Sequence, residues 1–322
     1  MELAAEPCDD GLDLLEFLSA CLIGLSKTRL RRLIGDGLVT VDGRKVGSKW
    51  TVQPGQVVCL PDEAVEPDDL SPALTLQPLL EDEHHLAVNK PPGHTVLPTR
   101  TGGGREFFNG LIRLLNPPGP GPRRFVRPHI VHRLDRDTSG VLLVAKTAEA
   151  GRRLALQFQR RQTRKRYLAV LEGVPPRQEF TVELPLARKR GSVLAMTVEP
   201  RKGKPARTLF RLLRPFGRFS LVEARPETGR QHQIRVHAAA VGFPLAVDVL
   251  YGRRRLLTAA DLDPAAPAAE PVLERCPLHA AEIHYRHPAD RSPRRAEAPL
   301  APDIERLLTL LEAPAGPRAK KL

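Results

Sequence analysis

Aromatic residues make up only 4% of this 322-residue chain, too few for a recognition surface built mainly of stacking rings. Cysteine is as sparse. Cys8, Cys21, Cys59 and Cys276 lie far apart, with no Cys-x-x-Cys pair, which argues against a disulfide framework or a zinc site. Cys276 and His279 form one short metal-like pair without a second pair to complete it, so no metal is expected. No apolar run approaches the roughly 18 residues needed to cross a bilayer. The first candidate, Leu14 to Leu25, is broken by Glu16, Ser19 and Gly24, and the preceding MELAAEPCDD is acidic, where a signal peptide starts basic. The chain is therefore expected in the cytoplasm and off the membrane. A dinucleotide fingerprint and a phosphate loop are also missing.

Positive charge is abundant: 50 Lys and Arg against 37 Asp and Glu leave a net +13. Such a balance suits a polyanion such as RNA, although arginine used for solubility gives the same composition. The charge is unevenly spread, with no Lys or Arg between Lys49 and Lys90. Inside that gap PDEAVEPDDLSP, from Pro61 to Pro72, reads as an extended solvated linker. Residues 61–73 are thus expected to separate a small unit, 1–60, from a larger one, 74–311. Residues 312–322 read as a basic disordered tail, and Asp261 to Glu274, rich in Ala and Pro, as a mobile insertion.

In the first unit Leu14, Leu15 and Leu18 recur at helical spacing. Ser26 can cap a second helix from Lys27 to Ile34, whose stripe is Leu30, Leu33 and Ile34. Lys27, Arg29, Arg31 and Arg32 fill its other positions. A strand at Val39 to Val41, an Asp42-Gly43 turn and a returning strand through Arg44 and Lys45 follow. Trp50 to Val52 and Val57 to Leu60 read as further short strands. A cationic helix beside a tight hairpin suits RNA phosphates.

The larger unit alternates strands and helices. Leu86 to Asn89, Val141 to Ala145, Arg166 to Leu171 and Phe219 to Ala224 read as strands. Thr147 caps a helix to about Gln159, and another helix follows Gly229. The mixture predicts an α+β fold around a largely antiparallel sheet.

Two polar clusters can carry chemistry. His132-Arg133-Leu134-Asp135-Arg136-Asp137-Thr138-Ser139-Gly140 lies directly before an apolar strand. A neighbouring guanidinium favours an ionised carboxylate, able to act as nucleophile, base or stabiliser. Local charge does not choose between Asp135 and Asp137, and a salt-bridged turn is the plain alternative. The second cluster, Thr228 to His237, would place His232 and Arg235 on one helix face with Arg230 at the helix start. His232 and His237 fall on different faces, which excludes a paired zinc site. Lys165 and Tyr167 alternate on a strand and so face the same side.

LSKTRLRRLIGDGLVTVDGRKV resembles the alpha-L RNA-binding domain named after small-ribosomal-subunit protein four. That family usually opens Arg-Leu-Asp, where this chain has Gly11-Leu12-Asp13. HRLDRDTSGVLLVAKT, ETGRQHQIRVHAAAVGFPL and VNKPPG, with KRYLAVLEG, GKPARTLF and PLHAAEIHYRHP, resemble the RluA family of pseudouridine synthases. The block after the HQIR helix departs from the family, with Val247 where Gly commonly precedes Asp248. The resemblance implies a pseudouridine synthase catalytic domain behind a small α+β RNA-binding domain. It implies Asp135 as the catalytic carboxylate, with Asp137 as a structural neighbour. Tyr167 would pack on the target base and help the closing proton removal. Arg235 would pair with the aspartate, and Arg133 would enter the RNA stack where the base leaves. RNA contacts are expected from Lys27, Arg29, Arg32, Lys45, Arg230 and His232. No cofactor or metal is implied, and a monomer is the family default. Large-subunit ribosomal RNA is the favoured substrate, with tRNA as the alternative. Rival readings are a silent RNA-binding assembly factor and a glycosidase using a carboxylate pair.

Overall fold

The computed structural model describes residues 1–22, 25–61, 73–98, 104–117, 125–262 and 271–312. The expected linker, the centre of the 261–274 insertion and the 312–322 tail therefore lie mostly outside the described residues.

The first unit is β1 (Glu2–Ala4), α1 (Leu14–Cys21), α2 (Lys27–Gly35), β2 (Thr40–Val41), β3 (Arg44–Lys45) and β4 (Val57–Cys59). Asp13 caps α1 by accepting from the Glu16 N–H at 2.7 Å, and Glu16 accepts in return from the Asp13 N–H at 3.3 Å. This is a reciprocal capping box. Ser26 caps α2, as expected, by accepting from the Arg29 N–H. Asp42 and Gly43 both take positive φ, so the hairpin turns tightly in the hand that matches strand twist. The expected strand at Trp50 to Val52 reduces to one bridge between Thr51 and Asp13. Its Trp50 and Val52 backbones bond instead to Leu14 and Leu12 at the start of α1.

The larger unit begins with β5 (Pro78–Glu81), β6 (His85–Lys90), α3 (Arg105–Leu115) and β7 (His129–Ile130). It continues with β8 (Ser139–Ala145), α4 (Ala148–Gln159), β9 (Arg164–Glu172), β10 (Glu179–Glu183), β11 (Leu186–Arg188) and β12 (Met196–Val198). Then come β13 (Arg207–Phe216), β14 (Phe219–Pro226), α5 (Gln233–Ala240), β15 (Leu257–Thr258), α6 (Ala259–Leu262) and β16 (Pro271–Leu273). β17 (Leu278–Arg286), β18 (Pro293–Glu297) and α7 (Pro302–Glu312) close the described chain. A ten-stranded sheet runs in the order β10-β13-β14-β9-β17-β8-β6-β5, with β18 on β17 and β7 on β8. Every pairing is antiparallel except β17 with β8. The α+β expectation with a largely antiparallel sheet holds.

The two units share a core. α3 shows two apolar stripes at helical spacing. Phe107, Leu111 and Leu115 pack into the sheet, with Leu86 and Leu142. Phe108 and Ile112, with Phe125, pack among Phe17, Leu18, Leu30 and Val58 of the first unit. The seam also carries Arg127 on buried Asp9 at 2.8 Å and His129 on Glu6 at 3.1 Å. Phe125 N–H donates to the Glu2 carbonyl at 2.8 Å.

Two expectations change. Residues 261–274 are not mobile throughout, because β15 pairs with β16 and Val272 and Leu273 are buried with Leu257, Ile304 and Leu307. The helix expected after Gly229 begins only at Gln233. The Gln233 side chain accepts from the Thr228 hydroxyl at 2.6 Å and the Arg230 N–H at 3.0 Å, so it ties residues 228–230 into a turn. His232 sits before the helix with φ 53.

Gly140 joins the polar 132–139 cluster to the sheet. It takes φ +110, and a Cβ there would lie 2.2 Å from the Ala280 carbonyl oxygen, where β8 meets β17. Gly140→Ala is expected to lower the unfolding free energy by about 3 kcal/mol or more, read by urea denaturation. Unchanged stability would contradict this close approach.

Candidate active site

Asp135 lies in the loop between β7 and β8, and the backbone around it is held by two cations. Lys90 is fully buried and donates to the carbonyls of Pro91 at 2.9 Å, Arg136 at 3.0 Å and Thr138 at 2.9 Å. Arg275 donates to the carbonyl between them, that of Asp137, at 2.8 Å, and is itself anchored on Asp303. Three successive carbonyls after Asp135 are thus gripped by two side chains from distant strand ends. Asp137 is occupied by Arg136, at 2.9 Å. His132 opens the loop with its ring stacked on Phe158 at 4.5 Å and its Nε2 accepting from the Leu143 N–H. Burial pushes its pKa down to about 3, so the ring is neutral.

The Asp135 carboxylate is about a quarter exposed and faces Arg235, whose Nη1 is 3.5 Å from Oδ2. Arg235 has a second and closer partner. Its Nε and Nη2 each donate to an Asp248 oxygen at 2.8 Å, a two-point fork. Asp248 also accepts from the N–H groups of Leu250 and Tyr251. Burial works to raise the Asp248 carboxyl, but Arg235 and these N–H groups outweigh it and hold the pKa below the usual carboxylate value. The Arg235 guanidinium lies over the Tyr251 ring, 5.1 Å from its centre. Tyr251 also meets His232 Nδ1 at 2.7 Å, and His232 Nε2 comes to 3.9 Å from Asp135. Burial lowers the His232 pKa. His232 and Arg235 thus meet one carboxylate, though only Arg235 is on the helix.

A cavity of about 920 Å³ opens over this group. Tyr167 and Lys165 both line it, as their alternation on β9 requires. Burial, and then the Asp135 charge, push the Tyr167 phenol well above its ordinary pKa, so it stays protonated at neutral pH. Burial takes Lys165 down to about 8, and its ammonium donates to the Thr228 carbonyl at 3.1 Å. Arg133 is exposed at the rim. Arg230 lines the cavity and donates to the Pro205 carbonyl at 3.1 Å. The cavity lining contains two carboxylates, Asp135 and Glu227, and Glu227 is paired with Arg207. Asp135 makes no side-chain hydrogen bond to another described residue, and its nearest partner is the Arg235 guanidinium. Lys27, Arg29, Arg32 and Lys45 lie on α2 and β3 of the first unit, away from this cavity.

Sequence reasoning missed Asp248, Lys90, Arg275 and Tyr251. Asp248 and Tyr251 stood in the block that departs from the family pattern, and Lys90 in VNKPPG. Nothing near Arg275 in the chain signalled its grip on a loop reached through the sheet.

Among the described residues, two groups bring three potential metal donors together: Asp82, His85 and His287, and Glu6, Cys8 and Asp9. Both lie outside the cavity lining. In the first, Asp82 already bonds both histidine rings.

A carboxyl held below its unfolded value adds stability above about pH 4 that is lost as pH falls through the folded value. Asp248→Asn removes that contribution and leaves Arg235 half-paired in the interior. The variant is expected to be about 3 kcal/mol less stable at pH 7, and the difference should shrink toward pH 3. Urea denaturation at the two pH values checks this, and equal stability at pH 7 would contradict it.

The chain matches the family model for RNA pseudouridylate synthase over residues 84–240 and that for the S4 domain over residues 14–58. It is 36% identical over 304 residues to ribosomal large subunit pseudouridine synthase C of Vibrio cholerae, covering 91% of each chain. It is 36% identical to ribosomal large subunit pseudouridine synthase D of Nitrosomonas europaea, covering 92% of this chain and 84% of that one. The fold is similar to that of human RNA pseudouridylate synthase domain containing 4, with a TM-score of 0.57 and 24% identity, over 73% of this chain and 92% of that one. Among the described residues no helix is long and apolar enough to cross a membrane. The chain belongs to the RNA pseudouridine synthase family, in the RluA-type branch that carries an S4 domain at the N-terminus.

Proposed function

We propose that this chain converts uridine to pseudouridine in large-subunit ribosomal RNA, in the cytoplasm, with Asp135 as the catalytic carboxylate. One observation carries the assignment. Asp135 is the cavity carboxylate that makes no side-chain hydrogen bond to another described residue, and it stands 3.5 Å from a guanidinium fixed from behind. Support for the RNA class comes from the relatives, two of which are named for the large ribosomal subunit.

The reaction breaks the bond from uracil N1 to ribose C1′, turns the base and joins C5 to C1′. The proton on C5 then leaves. Asp135 serves as attacking group or base in this scheme, and the pre-aimed Arg235 holds it in orientation. Tyr167, a phenol rather than a phenolate, packs against the base. It takes the C5 proton only by passing its own to a base, for which Asp135 is the neighbour. Lys165 beside it offers a cation to the base oxygens or to phosphate. Extruding the base costs a few kcal/mol, and in this reading Arg133, exposed in the cavity lining, fills the gap left in the stack. The first unit grips RNA through Lys27, Arg29, Arg32 and Lys45. Because it shares a core with α3, it holds that RNA in a set relation to the cavity.

Asp135→Asn is expected to bind large-subunit RNA transcripts within about twofold of the parent while pseudouridine formation falls at least ~10³-fold. Turnover by the variant near the parent rate would overturn the assignment. Site-resolved pseudouridine mapping with and without the gene identifies the RNA. Loss of a site in tRNA alone would replace the ribosomal reading.

Removing residues 1–60 would expose Phe108, Ile112 and Phe125, so deletion is a poor test of the first unit. Lys27→Glu with Arg32→Glu leaves the core intact. The pair is expected to weaken binding of structured RNA about tenfold. Unchanged affinity in a filter-binding titration would remove the role given to α2.

A further inference from the structure

A second cleft, of about 710 Å³, opens where the end of α4 meets the start of β9 and the turn from β17 to β18. Its lining includes Arg153, Arg160, Arg161, Arg164, Arg286 and Arg291, and no carboxylate. Two of these arginines are engaged: Arg153 with Glu149 and the Pro288 carbonyl, and Arg286 with the Arg291 carbonyl. The side chains of Arg160, Arg161, Arg164 and Arg291 make no ion pair or hydrogen bond with another described residue. Guanidinium groups gathered without counter-charge repel one another, and their planar donor forks match phosphate oxygens.

The cleft neighbours the active-site cavity, and Arg161 lines both. Its backbone gives a second, independent sign. α4 ends with the Arg161 N–H donating to the Phe158 carbonyl at 3.2 Å and the Gln162 N–H to the Gln157 carbonyl at 2.9 Å. That termination places one residue in the left-handed region, a position usually held by glycine. Here it is Arg161, at φ 57. Arg291 does the same in the turn before β18, at φ 61. Among the described residues, the non-glycine residues with positive φ are Asp42, Arg161, His232 and Arg291, and all but Asp42 line one of the two cavities. Glycine would relieve the backbone at both arginines. Strain kept at such a point is explained by what the side chain does.

We propose that this arginine cleft seats RNA phosphates flanking the target uridine, and that Arg161 carries the RNA backbone from the active-site cavity into it. The proposal rests on the reading of the first cavity as the uridine site. It extends that reading by assigning a path to the strand beyond the target.

The test uses the full chain and an unmodified large-subunit ribosomal RNA transcript, with filter binding across a potassium chloride series. Arg161→Gly with Arg291→Gly should unfold at or above the parent temperature, since glycine suits both turns. It should bind the transcript at least ~10-fold more weakly, and the slope of log K against log salt should fall by about 1 to 2. Arg160→Glu with Arg164→Glu, at exposed positions with ordinary backbone, should lose at least as much. Parent-like affinity and salt slope in both double variants would overturn the cleft. Pseudouridine formation by the parent is measured on the same transcript. If the parent binds but forms none, while the variants lose affinity, the cleft stands as an RNA phosphate site and the isomerase reading fails. If the parent forms pseudouridine and the variants bind as it does, the cleft alone fails.

Discussion

A guanidinium held from behind by one carboxylate and offered to another organises this molecule's chemistry. Arg235 spends Nε and Nη2 on Asp248 and turns Nη1 toward Asp135. Burying a charge is costly unless it is paired and bonded, and Asp248, with two backbone N–H groups of its own, meets that need. Asp135 therefore gains an aimed positive neighbour without being locked into a tight bond. The charges of the three side chains sum to minus one. The excess falls on the carboxylate that faces the cavity, while Arg133, Arg161, Lys165 and Arg230 around it favour a polyanion.

The second constraint is rigidity. A reactive carboxylate on a loop is useful only if the loop is fixed. Lys90 and Arg275 achieve this chiefly by binding the carbonyls of residues 136–138. Gly140 then lets β8 approach β17 closely enough to join the loop to the sheet. α3, with an apolar stripe on each side, ties the S4 domain to the same framework. α2 and the loop that carries Asp135 belong to one packed body.

What could be read from the sequence was mainly local. Ser26 and Thr147 capped the expected helices because a cap acts over three residues. Lys165 and Tyr167 shared a face because strands alternate. The long HRLD and HQIR blocks pointed to Asp135 and Arg235 through family resemblance, while local charge left Asp135 and Asp137 unresolved. Long-range geometry was not legible. The fork from Asp248 reaches Arg235 across a turn that composition does not describe, and Arg275 meets residue 137 only through the pairing of β17 with β8. The left-handed backbone of His232 had no glycine to announce it. The two stripes of α3 could be seen as apolar, but not that one of them belonged to the preceding unit.

The claim that a fixed fork aims Asp135 is tested most directly by the single-turnover rate of pseudouridine formation in Arg235→Lys protein at saturating RNA. Lysine keeps the charge and loses the two-point geometry. The account predicts a fold retained by circular dichroism and a rate at least ~100-fold lower. A rate within about threefold of the parent would show that charge alone suffices, and would contradict it.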